Sequence, residues 1–231
     1  MKHSPTISVI IPAQNEQDSI SDLIYYLKES SRTKDVVQII VAVNGSDLTA
    51  VKAKNAGAVV IHVGNLRSVA MNGGQKHATG DILYFLHADS RPPIGWDSQI
   101  INAYSSGYHS GTFRLQFDSG HPLLRLSAWF TRFSWKFIRF GDQSLFVGHD
   151  EFIKARKFDE DMLILEDREI INRITQYSKF VVIPGFVTTS SRKYNRYGYW
   201  RLQSVYVIIN LLYYLRLSQP KIIVIYQHLI R

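Results

Sequence analysis

The 231-residue chain contains no cysteine, which excludes a disulfide framework, a thiolate metal site and a cysteine nucleophile. It has no GxxxxGK[ST] phosphate loop and no GxGxxG dinucleotide fingerprint. A helical membrane span needs ~20 apolar residues, and the apolar segment Val205 to Leu215 offers eleven, with Asn210 inside. Met1 to Thr6 run straight into a strand-like segment, without the charged region, apolar stretch and cleavage site of a secretory signal, so a cytoplasmic protein is expected. Acidic residues are missing beyond Glu169, while nine Lys and Arg follow it. The net charge of +8 therefore sits in one half: residues 1–120 hold ten basic and ten acidic side chains, residues 121–231 seventeen and nine. Such asymmetry predicts an anionic partner, whether nucleic acid, membrane surface or phosphorylated substrate. No recognition helix, zinc site or aromatic sheet motif accompanies the charge, so no specific nucleic-acid partner is expected.

With 45% hydrophobic and 20% charged residues the chain can bury a sizeable core as one domain. Ile7 to Ile11 reads as a central strand stopped by Pro12. Ile20, Leu23, Ile24 and Leu27 lie at i, i+3, i+4 and i+7, one face of a helix. Strands at 36–43, 58–63 and 81–86 alternate with helices at 48–56 and 66–78, the latter capped by Asn65. Four strand and helix alternations predict an α/β fold with a mainly parallel sheet and right-handed crossovers. After Pro93 the rhythm breaks. A helix near 96–104 precedes Thr112 to Phe117, whose period of two predicts a half-exposed antiparallel strand. A short apolar run at 144–148, a helix at 166–177 with Ile170, Ile171 and Ile174 inward, and a strand at 180–183 follow. No repeat or linker is evident; the parts are 1–93, 94–200 and 201–231.

The strand at 81–86 delivers His87 and Asp89 at its carboxyl end, where open α/β sheets keep their chemistry. A carboxylate there can hold a divalent cation, although Asp89-Ser90-Arg91-Pro92-Pro93 also reads as an ordinary polar turn. Glu16 and the pair Glu166-Asp167 each open a helix, where the macrodipole favours carboxylates without any further role. Arg67 opens another helix, where an exposed arginine is more often only a solvated charge. Asn72-Gly73-Gly74 either lets backbone approach a ligand or simply weakens its helix.

Taken in order, Ser8-Val9-Ile10-Ile11-Pro12-Ala13-Gln14-Asn15-Glu16, Ile39-Ile40-Val41 ahead of Gly45-Ser46, Arg67 with Asn72-Gly73-Gly74, His87-Ala88-Asp89 and Glu166-Asp167 resemble the family 2 glycosyltransferases over roughly residues 7–200. The likeness is strongest to a subset with His-Ala-Asp in place of Asp-x-Asp, a Gly-Asp-Gln motif (Gly141-Asp142-Gln143) and a Ser-x-Arg-x-Tyr segment (Ser190 to Tyr194). The resemblance implies a GT-A, Rossmann-like nucleotide-binding sheet with an elaborated basic C-terminal part, and an inverting transfer of a sugar from a nucleotide-diphosphate donor to a hydroxyl acceptor. It implies that Pro12, Ala13, Glu16, Asn44, Arg67 and Asp89 bind the donor, and that Asp89 with His87 holds Mn2+ or Mg2+. It further implies that Asp142, Gln143 and Glu166 meet the acceptor and that Asp167 is the general base. On this view residues 1–93 form the nucleotide-sugar part and 94–200 the acceptor part. Relatives usually end the second strand with an Asp for uracil; this chain has Val43, with Asn44 next to it. His87 and Val43 keep open the alternative of a catalytically impaired relative that binds nucleotide sugars or anionic surfaces.

Projected on one helix, Leu124 to Phe140 places Arg125, Arg132, Lys136 and Arg139 on a narrow face beside Trp129, Phe133, Phe137 and Phe140. That pattern suits either a lipid interface or a core-packing helix with a solvated edge. The expectation is peripheral attachment to the inner face of a membrane, with a lipid-linked acceptor and an anionic surface explaining both the cations and the rings.

Overall fold

A computed structural model describes residues 4–33, 35–133 and 143–230. Eight strands form one sheet: β1 (Ile7–Ala13), β2 (Val36–Val43), β3 (Val59–His62), β4 (Ile82–Phe85), β5 (Ser90–Arg91), β6 (Ser110–Phe117), β7 (Leu145–Gly148) and β8 (Phe180–Thr189). Their spatial order is β3-β2-β1-β4-β7-β6-β8-β5. The first four are parallel, β7 is antiparallel to β4 and β6, and β6 runs parallel to β8. Chain direction across the sheet reverses beside β1, because β1 feeds β2 on one side while β4 lies on its other. A crevice must open there at the carboxyl ends of the strands.

Alternation along the strands sorts the core into two layers. Ile7, Val9 and Ile11 of β1 join Ile82 and Tyr84 of β4 on the side of α1 (Ile20–Ser30), α2 (Thr49–Asn55) and α4 (Trp96–Ser105). Ile10, Leu83 and Phe85 face the other side, with Met71 of α3 (Arg67–Lys76), Phe152 of α6 (His149–Lys154) and Ile170, Ile171 and Ile174 of α7 (Glu166–Ile174). The helix expected from the spacing of Ile20, Leu23, Ile24 and Leu27 buries those four residues. Past the sheet, α5 (Pro122–Phe130) and α8 (Arg192–Tyr197) lead to α9 (Tyr199–Tyr214) and α10 (Gln219–Ile230), which pack as a hairpin over Val205, Ile209 and Ile222.

Five local expectations are corrected. Pro12 does not stop β1, which continues to Ala13: β4 pairs only with residues 7–10, so the missing N–H falls past the end of its neighbour. Asn65 does not cap α3; Leu66 occupies the capping position and no side chain bonds there. β6 is buried along most of its length and pairs mainly in parallel, because β8 covers its outer edge. The helix projected to Phe140 ends at Phe130, followed by a turn through Phe133, so Arg125 and Arg132 do not share a helical face; Lys136, Phe137, Arg139 and Phe140 lie outside the described residues. Asn72-Gly73-Gly74 serves packing. A Cβ on Gly74 would overlap Ile10 Cγ2, and Asn72 donates to the Phe158 carbonyl at 2.9 Å and accepts from the Phe158 amide at 3.0 Å.

Candidate active site

Residues far apart in sequence converge where the crevice is expected. α7 begins at Glu166 after Leu165, whose φ of 66° lies in the left-handed region that a leucine adopts only at some cost. That turn sets Glu166 and Asp167 in the first helical turn, where unpaired amides favour carboxylates. Arg67, first residue of α3, reaches both: its Nε is 3.5 Å from Glu166 Oε1 and its terminal nitrogen 3.2 Å from Asp167 Oδ2. His87, just past β4, brings Nε2 to 3.8 Å from Asp167 Oδ2. Burial pushes the Glu166 carboxyl above the usual range; Arg67 opposes that and the Asp167 charge adds to it.

Two cavities adjoin Arg67, and a third lies at Asp89. A small one of about 120 Å3 is walled by Pro12 and Ala13 at the end of β1, Asn44 after β2, Gly64 and Asn65 after β3, and Arg67. A second, about 350 Å3, contains Glu16, Asp89, Arg91, Asp118 and Arg192. Within it Glu16 accepts from Ser19 Oγ at 3.0 Å and lies 3.4 Å from the Arg192 guanidinium. The third, about 340 Å3, holds Arg67, Glu166 and Asp167 at one end and is otherwise largely apolar, with Leu115, Tyr206 and Tyr226 among its walls. Arg67 borders both the first and the third.

The expected site residues thus divide. Pro12, Ala13, Asn44 and Arg67 share a cavity, Glu16 and Asp89 share another, and Arg67, His87, Glu166 and Asp167 form one charged cluster. It is His87, not Asp89, that meets Asp167. Gln143 is not brought to the cluster: it is buried and donates its amide to the carbonyls of Phe113 and Thr131 at 3.1 and 3.2 Å. Asp142 lies outside the described residues. Two groups went unread as site residues. Arg192 belongs to a recognised motif but had no assigned role, and Tyr206 and Tyr226 carry no signal beyond helical apolar spacing.

A cation would find a modest set of protein ligands here. Among the described residues no three His, Asp or Glu side chains cluster as metal ligands. Asp89 nevertheless fits one: Ser90 Oγ donates to its Oδ1 at 3.4 Å, its other oxygen has no protein partner among the described residues, and it faces the 350 Å3 cavity. A hard cation that keeps waters and takes phosphate oxygens needs only one or two carboxylates from the protein.

The fold is the GT-A glycosyltransferase fold. It is shared by a mannosyltransferase from Pyrobaculum calidifontis solved with GDP-Man and Mn2+ (TM-score 0.71, 15% identity, covering 96% of this chain and 69% of that one). TarS residues 1–349 from S. aureus match with a TM-score of 0.66 at 14% identity, over 90% of this chain and 65% of that one. Glucosyl-3-phosphoglycerate synthase from Mycobacterium tuberculosis, solved with Mn2+, UDP and glucosyl-3-phosphoglycerate, gives 0.62 at 16% identity, over 90% and 79%. The chain spans 65% of another similar structure, a mycobacterial protein. No curated protein matches its sequence. The family model for glycosyl transferase family 2 matches residues 8–153, well over half of the chain, and the chain belongs to that family. The matched stretch includes Glu16, Arg67, His87 and Asp89 and ends before Glu166 and Asp167.

Proposed function

We propose that this protein is an inverting glycosyltransferase that moves a sugar from a nucleotide-diphosphate donor to a hydroxyl acceptor. The observation that carries the reading is the charged cluster of Arg67, His87 and Asp167, whose Arg67 lines both the cavity at the strand ends and the larger, mainly apolar one. The small cavity gives a nucleoside the flat backbone of Pro12 and Ala13, with Asn44 beside it, and Glu16 is the further donor contact in this reading. Arg67 is placed to exchange its carboxylate partners for a diphosphate, which releases Asp167. Asp167 then takes the proton of an acceptor hydroxyl in the 340 Å3 cavity, and the oxygen attacks the anomeric carbon as the carbon–oxygen bond to the nucleoside diphosphate breaks. Glu166 steadies Arg67 and borders the acceptor.

The neighbours solved with Mn2+ support a divalent cation, held by Asp89 with His87 close by. Such an ion supplies Lewis-acid stabilisation of the departing diphosphate. The test is donor binding followed by calorimetry with and without Mn2+. Asp89→Ala should remove the Mn2+-dependent part, and unchanged Mn2+ dependence would overturn the assignment.

A second reading, nucleotide-sugar binding without turnover, is favoured by Val43. It is buried in the sheet at the end of β2, so no carboxylate stands there for a pyrimidine ring. A panel of nucleotide sugars with Mn2+ separates the two: transfer or hydrolysis with any of them supports the enzyme, binding alone the second reading. The same proposal places the chain on the cytoplasmic face of a membrane as a peripheral protein. No helix among the described residues is long and apolar enough to cross one.

A further inference from the structure

The hairpin of α9 and α10 is apolar on both of its faces. Leu202, Val205 and Ile209 face inward. On the opposite side Trp200, Val207, Ile208, Leu211, Tyr214 and Leu215 are exposed at spacings that form one stripe, with Trp200 72%, Leu211 57% and Leu215 63% accessible. Val224 of α10, 63% accessible, adds to it. A helix with a second apolar face turned outward marks an interaction surface. On the hairpin Arg201, Arg216 and Lys221 are exposed, and residues 199–230 contain no acidic side chain. Rings and aliphatic side chains on an element whose own charges are all positive complement an anionic bilayer surface, and a second copy of this element would set cation against cation.

The hairpin is also a wall of the cavity that ends at Asp167. Tyr206 and Asn210 of α9 and Ile223 and Tyr226 of α10 line it. Polar ties fix the hairpin to the segment that carries the carboxylates. The buried Arg168, next to Asp167, donates to Asn210 and lies 5.1 Å from the Tyr214 ring. Gln219 accepts from the amides of Leu163 and Ile164 at 3.2 Å each. One element therefore offers apolar side chains to the outside and bounds the acceptor space on the inside.

We infer that the α9–α10 hairpin lies on an anionic bilayer and that the acceptor is an amphiphile whose hydroxyl-bearing end enters the cavity from it. The acceptor half rests on the glycosyl-transfer reading; the docking half does not. A cavity of about 340 Å3 takes the reacting end of such a molecule and leaves its chain in the lipid. Leu115, Phe117, Ile223 and the rings of Tyr206 and Tyr226 suit the apolar part of such a molecule, while Lys193, Gln203 and Asn210 suit its polar end.

The experiment is flotation of the full chain with phosphatidylcholine vesicles, with and without phosphatidylglycerol, at low salt. Wild type should float with the anionic vesicles. Leu211→Asp and Leu215→Asp, at exposed positions that folding does not need, should each lower the bound fraction roughly tenfold or more. Arg216→Glu with Lys221→Glu should cut the preference for anionic vesicles by about fivefold per charge or more. Failure of the wild type to float overturns the docking face. So does a dimer that Leu211→Asp dissociates without any flotation, since a second copy would then be the occupant. For the acceptor, calorimetry compares monomeric octyl glucoside with glucose: binding of the first alone, lost in Ile223→Arg, supports the inference, and equal or absent binding overturns it. Mn2+-dependent donor binding by the wild type separates the two readings: its absence counts against glycosyl transfer, whereas absence of wild-type flotation counts against docking alone; retained donor binding in the variants shows that they are folded.

Discussion

Asp167→Asn keeps the volume and shape of the side chain and removes the charge that a general base needs. Two explanations of Asp167 predict different magnitudes. If it only anchors Arg67, the loss is that of an ion pair at 3.2 Å whose arginine is about a third exposed, worth ~1 kcal/mol or less, and the rate changes by about fivefold at most. If it removes the acceptor proton, kcat falls by roughly 10²–10⁴-fold, which is ~3–5 kcal/mol of barrier. Donor affinity should hold or tighten slightly, because Arg67 keeps Glu166 at 3.5 Å and is freer to meet a diphosphate. The assay is initial rate with Mn2+ across UDP- and GDP-sugars, with donor affinity by calorimetry on the same samples. A loss below tenfold, or a parallel loss of donor binding, would refute Asp167 as the base. The same variant has a second readout. Burial is the main cause that raises the Glu166 carboxyl and the Asp167 charge is another, so Glu166 should ionise at lower pH in the Asn variant, followed by carboxyl NMR titration.

Asp97 gives a stability prediction. Its side chain is fully buried, which pushes its carboxyl up, but hydrogen bonds from Ser31, Arg32 and Thr33 together outweigh burial and hold it below the ordinary value of 3.8. A lowered folded value means this stabilisation is complete above pH ~4 and drains away as pH falls through the folded value. Asp97→Asn should cost ~1.5–3 kcal/mol at neutral pH and flatten the acid limb of urea-measured stability; an unchanged acid limb would refute the assignment. Gly74→Ala should destabilise by ~1–3 kcal/mol, since the overlap with Ile10 exceeds the ~1 kcal/mol that alanine gains in a helix. A raised melting temperature would show that Ile10 yields.

Much of the first half of the fold could be read from the chain because its signals are local. Strand runs at 36–43 and 81–86, and the helical spacing of Ile20, Leu23, Ile24 and Leu27, depend only on the period at which side chains return to one face. Asp89 could be singled out because a parallel α/β sheet presents its carboxyl ends along one edge, whereas Asn44 came only from the family resemblance. The later strands were harder. β6 alternates like a half-exposed strand, yet β8 covers it, and periodicity does not say which neighbour a strand will find.

What the sequence by itself determined is the inventory: the first strands and helices of the sheet, which carboxylates and cations exist, and that the second half is basic. What only the tertiary structure decided is who meets whom. Gln143 turns inward to two carbonyls, His87 rather than Asp89 faces Asp167, and Arg67 sits between two cavities. The exposed apolar stripe on which the membrane proposal rests lies on the α9–α10 hairpin, which the spacing of residues 124–140 did not point to. Composition and spacing report the faces of single elements, whereas a site is made by long-range packing between elements that the chain brings together only on folding.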